Sequence, residues 1–241
     1  MAVKKRCIFN WSGGKDSTLA LHYALKDPTI EICYLVTTLT DEFNRISMHG
    51  VRESLLIKQA ESIGIPLYQI RLGEMPTMEH YDETMRMHLL KFKEEGITHS
   101  IFGDIHLEDL RTYRETKLEE IGLKAIFPLW KLDTRLLIQE FLELNYKTII
   151  VCTRQDLEMV CGEVITLDLI HNLPPKIDPC GENGEFHTFA FQGPIFRKKI
   201  EFELGEKVFK TYRAPVDTDP ADEEAKDTSS ISGFWFIDLI N

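Results

Sequence analysis

The chain has 241 residues, 43% of them hydrophobic, which is enough for one large domain or two small ones. Its 28 basic and 39 acidic residues give a formal net charge of -11, which disfavours extended nucleic-acid binding because that binding needs lysine and arginine to neutralise phosphates. The five cysteines form no C-x-x-C pair, so they predict neither a disulfide framework nor a zinc site and favour a reducing cytoplasm. No segment approaches the ~18 uninterrupted apolar residues of a membrane span, so we expect a soluble, cytoplasmic protein without membrane contact.

A glycine-containing loop at residues 12–17 (SGGKDS) follows an apolar run at 7–11 and precedes a run of helical periodicity at 18–26. This order predicts a buried strand, a sharp turn and a helix start, where unpaired N–H groups and the helix dipole favour phosphate. The spacing is not that of a Walker loop, because an aspartate follows the lysine and no upstream glycine is in place. The alternative is an ordinary strand-to-helix turn. We predict a phosphate site formed by Ser12, Gly13, Gly14, Lys15, Asp16 and Ser17.

The next part of the chain alternates between strand-like and helix-like segments. Strands are predicted at 31–38, 67–72, 99–103 and 124–127, and helices at 51–63, 78–95 and 108–121. This alternation predicts an α/β fold with a parallel sheet that is covered on both faces. Ligands of such sheets bind at the carboxyl ends of the strands, so the loops 12–17, 47–50 and 103–109 are expected on one rim.

The pattern changes at Pro128-Leu129-Trp130, where we place a boundary between a domain at 1–130 and a domain at 131–241. A helix is predicted from Asp133, with strands at 147–152 and 234–240. Gly205-Glu206 predicts a hairpin between strands at 199–204 and 208–212. The composition of residues 214–230 predicts a mobile loop.

Two constellations near the predicted rim could contribute to a nucleotide site. Gly103-Asp104 ends a strand, and the carboxylate could hold Mg²⁺, although a helix N-terminal acid is the alternative. Arg111, Arg114 and Glu115 fall near one helical face, where the arginines could clamp a carboxylate or phosphate. A solvated face with ion pairs is the alternative for this second group.

The block at 178–188 (DPCGENGEFHT) places a thiol, an imidazole, an amide and several carboxylates around two glycines. Loops of this density more often form sites than simple connections. Glu182, Asn183 and Glu185 are candidate orienting groups or general bases. Cys180 could be a nucleophile or a structural thiol. His187, with His49 from the loop 47–50, could assist, the alternative being a structural, hydrogen-bonded role for each.

Taken together, WSGGKDS, SMHG, FGDI, the arginine-bearing helix, PLW and DPCGENGEFHTF resemble the diphthine–ammonia ligase family of PP-loop ATP pyrophosphatases. The resemblance covers nearly the whole chain. It implies a five-stranded parallel sheet of the adenine nucleotide α-hydrolase type at 1–130. It also implies a smaller α+β domain at 131–241. A loop of this domain at residues 178–185, called the ENGE loop after its residues 182–185, would face the nucleotide. The implied activity is the ATP-dependent amidation of diphthine, a modified histidine on translation elongation factor two, with release of AMP and pyrophosphate.

On this interpretation ATP and Mg²⁺ are the cofactors, and ammonia and a carboxylate-bearing acceptor are the partners. The catalytic candidates are Lys15, Asp16, Glu182, Asn183 and Glu185. The loop 12–17 binds the nucleotide together with His49 and Gly103, while Asp104 holds the metal. The acceptor candidates are Arg111, Arg114, Glu115, Cys180 and His187.

The chain departs from diphthine-acting members after Gly-Asp-Ile, where they carry a Tyr-Gln-Arg helix and a following cysteine. Residues 107–115 carry no Tyr-Gln-Arg, and no cysteine lies between residue 107 and Gly122. Bacterial members of the family with an LEDLR-like helix resemble this chain better, and bacteria lack the diphthamide substrate. The resemblance therefore implies adenylation more firmly than it implies the acceptor, which is diphthine or a small carboxylate or corrinoid. A thiolating or tRNA-modifying enzyme and a nucleotide sensor without catalysis remain alternatives. The oligomeric state is open, with a homodimer as one alternative.

Overall fold

A computed structural model describes residues 4–40, 45–46, 50–73, 77–213 and 231–241. The strands are β1 (Lys5–Asn10), β2 (Ile30–Thr40), β3 (Arg45–Ile46), β4 (Leu67–Leu72), β5 (His99–Ile101), β6 (Lys124–Ile126), β7 (Lys147–Arg154), β8 (Phe186–Gln192), β9 (Glu203–Arg213) and β10 (Ile231–Ile240). The α-helices are α1 (Lys15–Lys26), α2 (Glu53–Ile63), α3 (Met78–Glu94), α4 (Glu108–Glu119), α5 (Thr134–Glu143) and α6 (Leu167–His171), and a 3₁₀ helix spans Gln155–Val160.

The first sheet confirms the expected α/β fold with five parallel strands. Their order is β4-β2-β1-β5-β6, and the short β3 pairs antiparallel with the end of β2. Counted among the parallel strands alone, this is the order 3-2-1-4-5. β1 is the central strand, and Cys7, Ile8 and Phe9 are buried, as a strand covered on both faces requires. Because β1 and β5 are parallel neighbours, the loops that follow them meet at one edge.

Alternate residues of the central strand face two different cores. Cys7 and Phe9 pack with residues of α1, α2 and the second sheet, whereas Ile8 packs with residues of α3 and α4 such as Phe92 and Leu118. This alternation follows from the two-residue period of a strand. Helices therefore cover both faces of the sheet.

The second sheet is antiparallel, in the order β8-β7-β10-β9. Side chains from β7 and β8, including Ile150 and Phe189, belong to the same hydrophobic core as α1 and α5. The edge strand β8 therefore lies beside the start of α1. The division into domains at Trp130 stays a prediction, because the two sheets share this core.

One local prediction is wrong: residues 203–213 form the single strand β9, and no turn occurs at Gly205-Glu206. β9 pairs with β10 along its length. A Cβ on Gly205 would lie 2.9 Å from Cδ1 of Ile240, so glycine here permits close packing against β10 and does not mark a turn.

Two other predictions cannot be compared with the fold. The proposed mobile loop 214–230 and His49, with most of the loop 47–50, lie outside the described residues. Among the helices of the described part of the chain, none is long and apolar enough to cross a membrane.

Candidate functional site

The loop between β1 and α1 is held by hydrogen bonds among its own residues. Ser12 Oγ accepts the N–H of Gly14 at 3.3 Å and donates to Ser17 Oγ at 3.0 Å, and Ser17 Oγ also bonds the carbonyl of Gly14 at 3.0 Å. Gly13 has a φ of 75°, in the left-handed region that glycine adopts without strain. The loop therefore turns sharply and leads directly into α1, as its sequence predicts.

Gln59 of α2 is fully buried and holds this loop by a hydrogen bond to its backbone. Its Nε2 donates to the carbonyls of Gly13 and Ala190 at 3.0 and 2.6 Å, and its Oε1 accepts Trp11 Nε1–H at 2.9 Å. The Ala190 N–H also donates to Gly13 O at 2.8 Å, so β8 is bonded to the loop. Gln59 was not identified from the sequence. A polar residue beside the apolar stripe of α2 could have indicated a buried hydrogen-bonding role.

Lys15 joins the glycine loop to the ENGE loop and is only 3% exposed. Its N–H donates to Thr188 Oγ1 at 3.0 Å, while Nζ donates to Asp16 Oδ2 at 2.7 Å and to the Cys180 carbonyl. Burial alone would lower the pKa of Lys15, but nearby acidic groups, Asp16 first, raise it overall. A buried ammonium group therefore lies between the two loops.

The N–H groups of the loop are unequally available to a phosphate. Those of Gly14 and Lys15 already donate to Ser12 and Thr188. The first helical bond of α1 runs from the Thr18 N–H to the Gly14 carbonyl at 3.0 Å, so the first turn before it offers the remaining donors. Phosphate binding by this loop stays a prediction.

Gly103, just after β5, lies against this first turn. A Cβ at Gly103 would be 3.1 Å from the backbone nitrogen of Ser17 and 3.3 Å from the carbonyl carbon of Asp16. Both neighbours are backbone atoms and cannot rotate away. The absence of a side chain at Gly103 therefore lets the loop after β5 pack closely against the helix start.

Replacing Gly103 with alanine is expected to cost about 1–2 kcal/mol of stability through overpacking and to weaken ATP binding roughly tenfold. Calorimetric titration with ATP and urea unfolding measure the two effects. Gly73→Ala is the matched control, because a Cβ there would meet nothing within 4 Å. Equal ATP affinity in both variants would contradict the assignment of Gly103 to the nucleotide site.

Asp104 is held in place by Arg114 of α4. The guanidinium donates to Asp104 Oδ2 and lies 4.5 Å from the centroid of the Phe102 ring. Burial raises the pKa of Asp104, against the opposing effect of the Arg114 charge. Arg114 therefore orients the predicted metal ligand.

Arg111 is likewise engaged within the protein. Its Nε donates to Glu115 Oε1 at 2.8 Å, and its guanidinium lies over the rings of Phe127 and Trp130, at 5.1 and 4.6 Å from their centroids. Binding of an acceptor by Arg111, Arg114 and Glu115 stays a prediction, and it would require these contacts to rearrange.

Glu185 organises the ENGE loop from inside and is 2% exposed. Its Oε1 accepts the N–H of Asp178 at 3.0 Å and Asn183 Nδ2–H at 3.2 Å, and its Oε2 accepts the N–H of Asn183 at 2.8 Å. Asp178 Oδ1 in turn accepts the N–H of Cys180 at 2.8 Å. This network satisfies the loop's own donors, so the Glu185 carboxylate is directed inward.

Glu182 occupies the part of the loop that faces the glycine loop. Its side chain is 14% exposed, and Oε2 lies 4.0 Å from Nδ1 of His106, which follows Asp104 by two residues. Burial first, and then the charge of Asp16, raise the pKa of Glu182 to about 8, against the lowering effect of Lys15. His106 was missed by sequence reasoning because no local pattern links it to residue 182.

The raised pKa of Glu182 predicts a pH-dependent contribution to stability. The folded protein retains this proton between pH ~4.5 and ~8 while the unfolded chain loses it, so the contribution is lost as pH rises through that window. Glu182→Gln is therefore expected to gain at least about 1.4 kcal/mol relative to the parent between pH 5 and 8.5. Urea unfolding at both pH values measures this, with the exposed Glu201→Gln as control. If Glu182→Gln and the parent differed in free energy of unfolding by the same amount at pH 5 and pH 8.5, the raised pKa of Glu182 would be contradicted.

Two further predicted residues lie close to Lys15 and are uncharged at neutral pH. Cys180 is buried, its Sγ contacts the Thr134 carbonyl at 3.2 Å, and burial raises the pKa of the thiol. Burial and then the Lys15 charge lower the pKa of His187 to about 4. A nucleophilic role for Cys180 is therefore disfavoured by its environment.

The family resemblance implies Mg²⁺, and the donor set near Asp104 fits a cation that is shared with phosphates. Asp16 raises the pKa of Asp104, and both raise that of Glu182, so these carboxylates repel one another and a divalent cation would relieve the repulsion. Among the described residues, no group of three or more His, Cys, Asp or Glu forms a metal site by itself. Phosphate oxygens would have to complete the coordination, as is usual for Mg²⁺.

Models of two protein families match the chain in succession. The diphthamide synthase N-terminal domain matches residues 5–125, and the diphthamide synthase C-terminal domain matches residues 133–221. The first match covers β1 to β5 and the start of β6, with the glycine loop and Asp104, and the second covers the ENGE loop.

Individual relatives carry related names at low identity. The diphthine–ammonia ligase of Schizosaccharomyces pombe is 25% identical over 249 residues, which cover 87% of this chain and 39% of that protein. The human diphthine–ammonia ligase is 28% identical over 188 residues, with 70% of each chain covered. This chain thus spans well under half the length of the first relative.

A solved structure, the U34-tRNA thiolase NcsA from Methanococcus maripaludis with its 4Fe-4S cluster, is similar over 60% of this chain and 59% of that chain, with 21% sequence identity and a TM-score of 0.37. That likeness is too low to bear on function. The two family matches are sufficient, because together they include the glycine loop, the Asp104 loop and the ENGE loop. The chain belongs to the diphthamide synthase, or diphthine–ammonia ligase, family.

Proposed function

We propose that this protein is an ATP-dependent amide ligase that adenylates an acceptor carboxylate and then amidates it with ammonia. The observation that carries the proposal is the position of the Lys15 ammonium, buried between Asp16 and the Cys180 carbonyl. The glycine loop does not have the Walker spacing, and its lysine points toward the acidic ENGE loop. This arrangement suits a reaction at the α-phosphorus, where ATP and the acceptor carboxylate must meet.

In the first half-reaction a carboxylate oxygen of the acceptor attacks the α-phosphorus of ATP. The bond from that phosphorus to the bridging oxygen breaks, and pyrophosphate leaves with the electron pair. Lys15 and the first turn of α1 would stabilise the negative charge on the phosphates, and positioning would supply much of the rate. When bound near Asp104, Mg²⁺ would neutralise further phosphate charge.

In the second half-reaction ammonia attacks the acyl carbon, and AMP leaves with the oxygen that joined it to the acyl group. The attacking nitrogen must lose a proton to form the neutral amide. Glu182 suits this step, because its pKa of about 8 lies near the operating range of a general base. Glu185 and Asn183 would hold the loop that carries it. The cytoplasm is the proposed location.

The exchange of labelled pyrophosphate into ATP tests the first half-reaction. Candidate acceptors are diphthine-bearing elongation factor two and a pool of small carboxylates. Exchange should require a carboxylate and should proceed without ammonium, and ammonium should then yield an amide. Exchange of phosphate in place of pyrophosphate would refute the proposal.

A further inference from the structure

An open cleft of about 420 Å³ adjoins the ENGE loop. It is lined by the start of α5, by the segment that precedes Asp178, and by His106 and Asn183. His106 lies 4.0 Å from Glu182, so the cleft leads toward the predicted reaction centre. An acceptor whose carboxylate reached Glu182 would place the rest of its structure here.

The acidic residues of the cleft are engaged with the protein itself. Asp133 Oδ1 accepts the N–H groups of Arg135 and Leu136 at 2.8 and 3.3 Å, as the N-cap of α5. Asp178 accepts Thr134 Oγ1–H at 2.7 Å and the N–H of Cys180 at 2.8 Å. These carboxylates stabilise the walls, and little of their acceptor capacity remains for a ligand.

The basic residues are differently placed. Arg135 is exposed in the first turn of α5, and the described part of the chain offers its guanidinium no carboxylate partner. Lys176 is 73% exposed, and its Nζ is 3.7 Å from Asp156, a carboxylate already bonded by both Nε and Nη2 of Arg154. The cleft therefore presents two cations with donors available.

The cleft also lacks what a quaternary ammonium group needs. Such groups are bound by cages of aromatic rings. Apart from the His106 imidazole, no aromatic ring occurs among the lining residues that the structure describes. A quaternary ammonium group would therefore find no aromatic cage among the described residues of this cleft, and Arg135 and Lys176 would repel its charge.

We propose that the cleft binds a second anionic group of the acceptor through Arg135 and Lys176, so that the acceptor is a small molecule with a carboxylate or phosphate besides the carboxylate that reacts. This inference rests on the proposed function, because the cleft is assigned to the acceptor through its position beside Glu182. Arg135 supplies a forked donor suited to either anion, and Lys176 supplies a mobile point charge.

Binding of matched probes tests the proposal. Glutarate, 4-phosphonobutyrate, 4-(trimethylammonio)butyrate and valerate have similar lengths and different distal groups. Each is titrated by ligand-observed NMR into the full chain with Mg²⁺ and α,β-methylene-ATP, which cannot be cleaved between the α and β phosphates. The two dianions are expected to bind at least tenfold more tightly than the other two, and the stronger dianion identifies the preferred group.

Charge reversal supplies the second arm. Arg135→Glu and Lys176→Glu should each weaken glutarate binding at least tenfold, and glutamate in the first turn of α5 is compatible with the helix. Lys199→Glu is the control, since Lys199 pairs with exposed Glu201 elsewhere, and it should change binding less than twofold. Tighter or equal binding of the trimethylammonium probe, no binding of any probe, or unchanged affinity in both cleft variants would overturn the proposal. ADP formation with the dianion preference intact would instead refute only the proposed function.

Discussion

Replacing Lys15 with methionine is expected to abolish AMP formation, with a loss of roughly a thousandfold in rate, and to lower the free energy of unfolding by about 2–3 kcal/mol. The catalytic loss follows from removal of the buried cation nearest to the predicted phosphate position. The stability loss follows because the Cys180 carbonyl and Asp16 lose a charged donor, and hydrogen bonds to charged groups contribute about 1.5–3 kcal/mol each.

Single-turnover assays and urea unfolding measure these two effects separately. Lys26→Met is the matched control, because Lys26 lies in the last turn of the same helix and is exposed. It should leave both quantities nearly unchanged. A Lys15→Met protein with ordinary AMP formation would remove Lys15 from the site, whatever its stability.

Replacing Glu185 with alanine is expected to lower the free energy of unfolding by about 3 kcal/mol and to remove activity as well. Alanine would remove the charged acceptor of the N–H groups of Asp178 and Asn183, and hydrogen bonds to charged groups contribute about 1.5–3 kcal/mol each. The loop that carries Glu182 would then lose its internal support.

Glu185→Gln separates this positioning role from a catalytic one. A glutamine keeps one oxygen that can accept a hydrogen bond, but its NH₂ group would face one of the N–H donors that Glu185 now accepts. Activity and stability should therefore fall together, and both should fall less than in the alanine variant. Full stability with no activity would instead make Glu185 a catalytic base, as the sequence alone suggested. Exposed Glu163→Ala controls for the loss of a carboxylate near β7.

Much of the fold is encoded locally. The apolar run at Cys7–Phe9, the glycine turn and the periodicity after it predict β1 and α1 because each depends on neighbouring residues. Gly64 ends α2 in the left-handed conformation with a φ of 84°, as the glycine before Pro66 predicts. The parallel order follows from the alternation of strands and helices.

The errors and omissions have a common physical cause, which is contact between distant segments. Gly205 was interpreted as a turn residue, yet it lies within β9, where a Cβ would be 2.9 Å from Cδ1 of Ile240. Gln59 and Thr188 support the glycine loop across more than 40 and 170 residues of chain respectively. Neither pairing leaves a local pattern, so the sequence predicted the loops and could not predict how they are joined.

The nucleotide product tests the central claim most directly. Purified protein is incubated with ATP, Mg²⁺, ammonium and a small-molecule extract, and the products are separated and quantified, with Lys15→Met as the blank. AMP and pyrophosphate in equal amounts, absent from the blank, are expected if the loop at residues 12–17 directs cleavage between the α and β phosphates. ADP and phosphate as the products that depend on Lys15 would contradict the account.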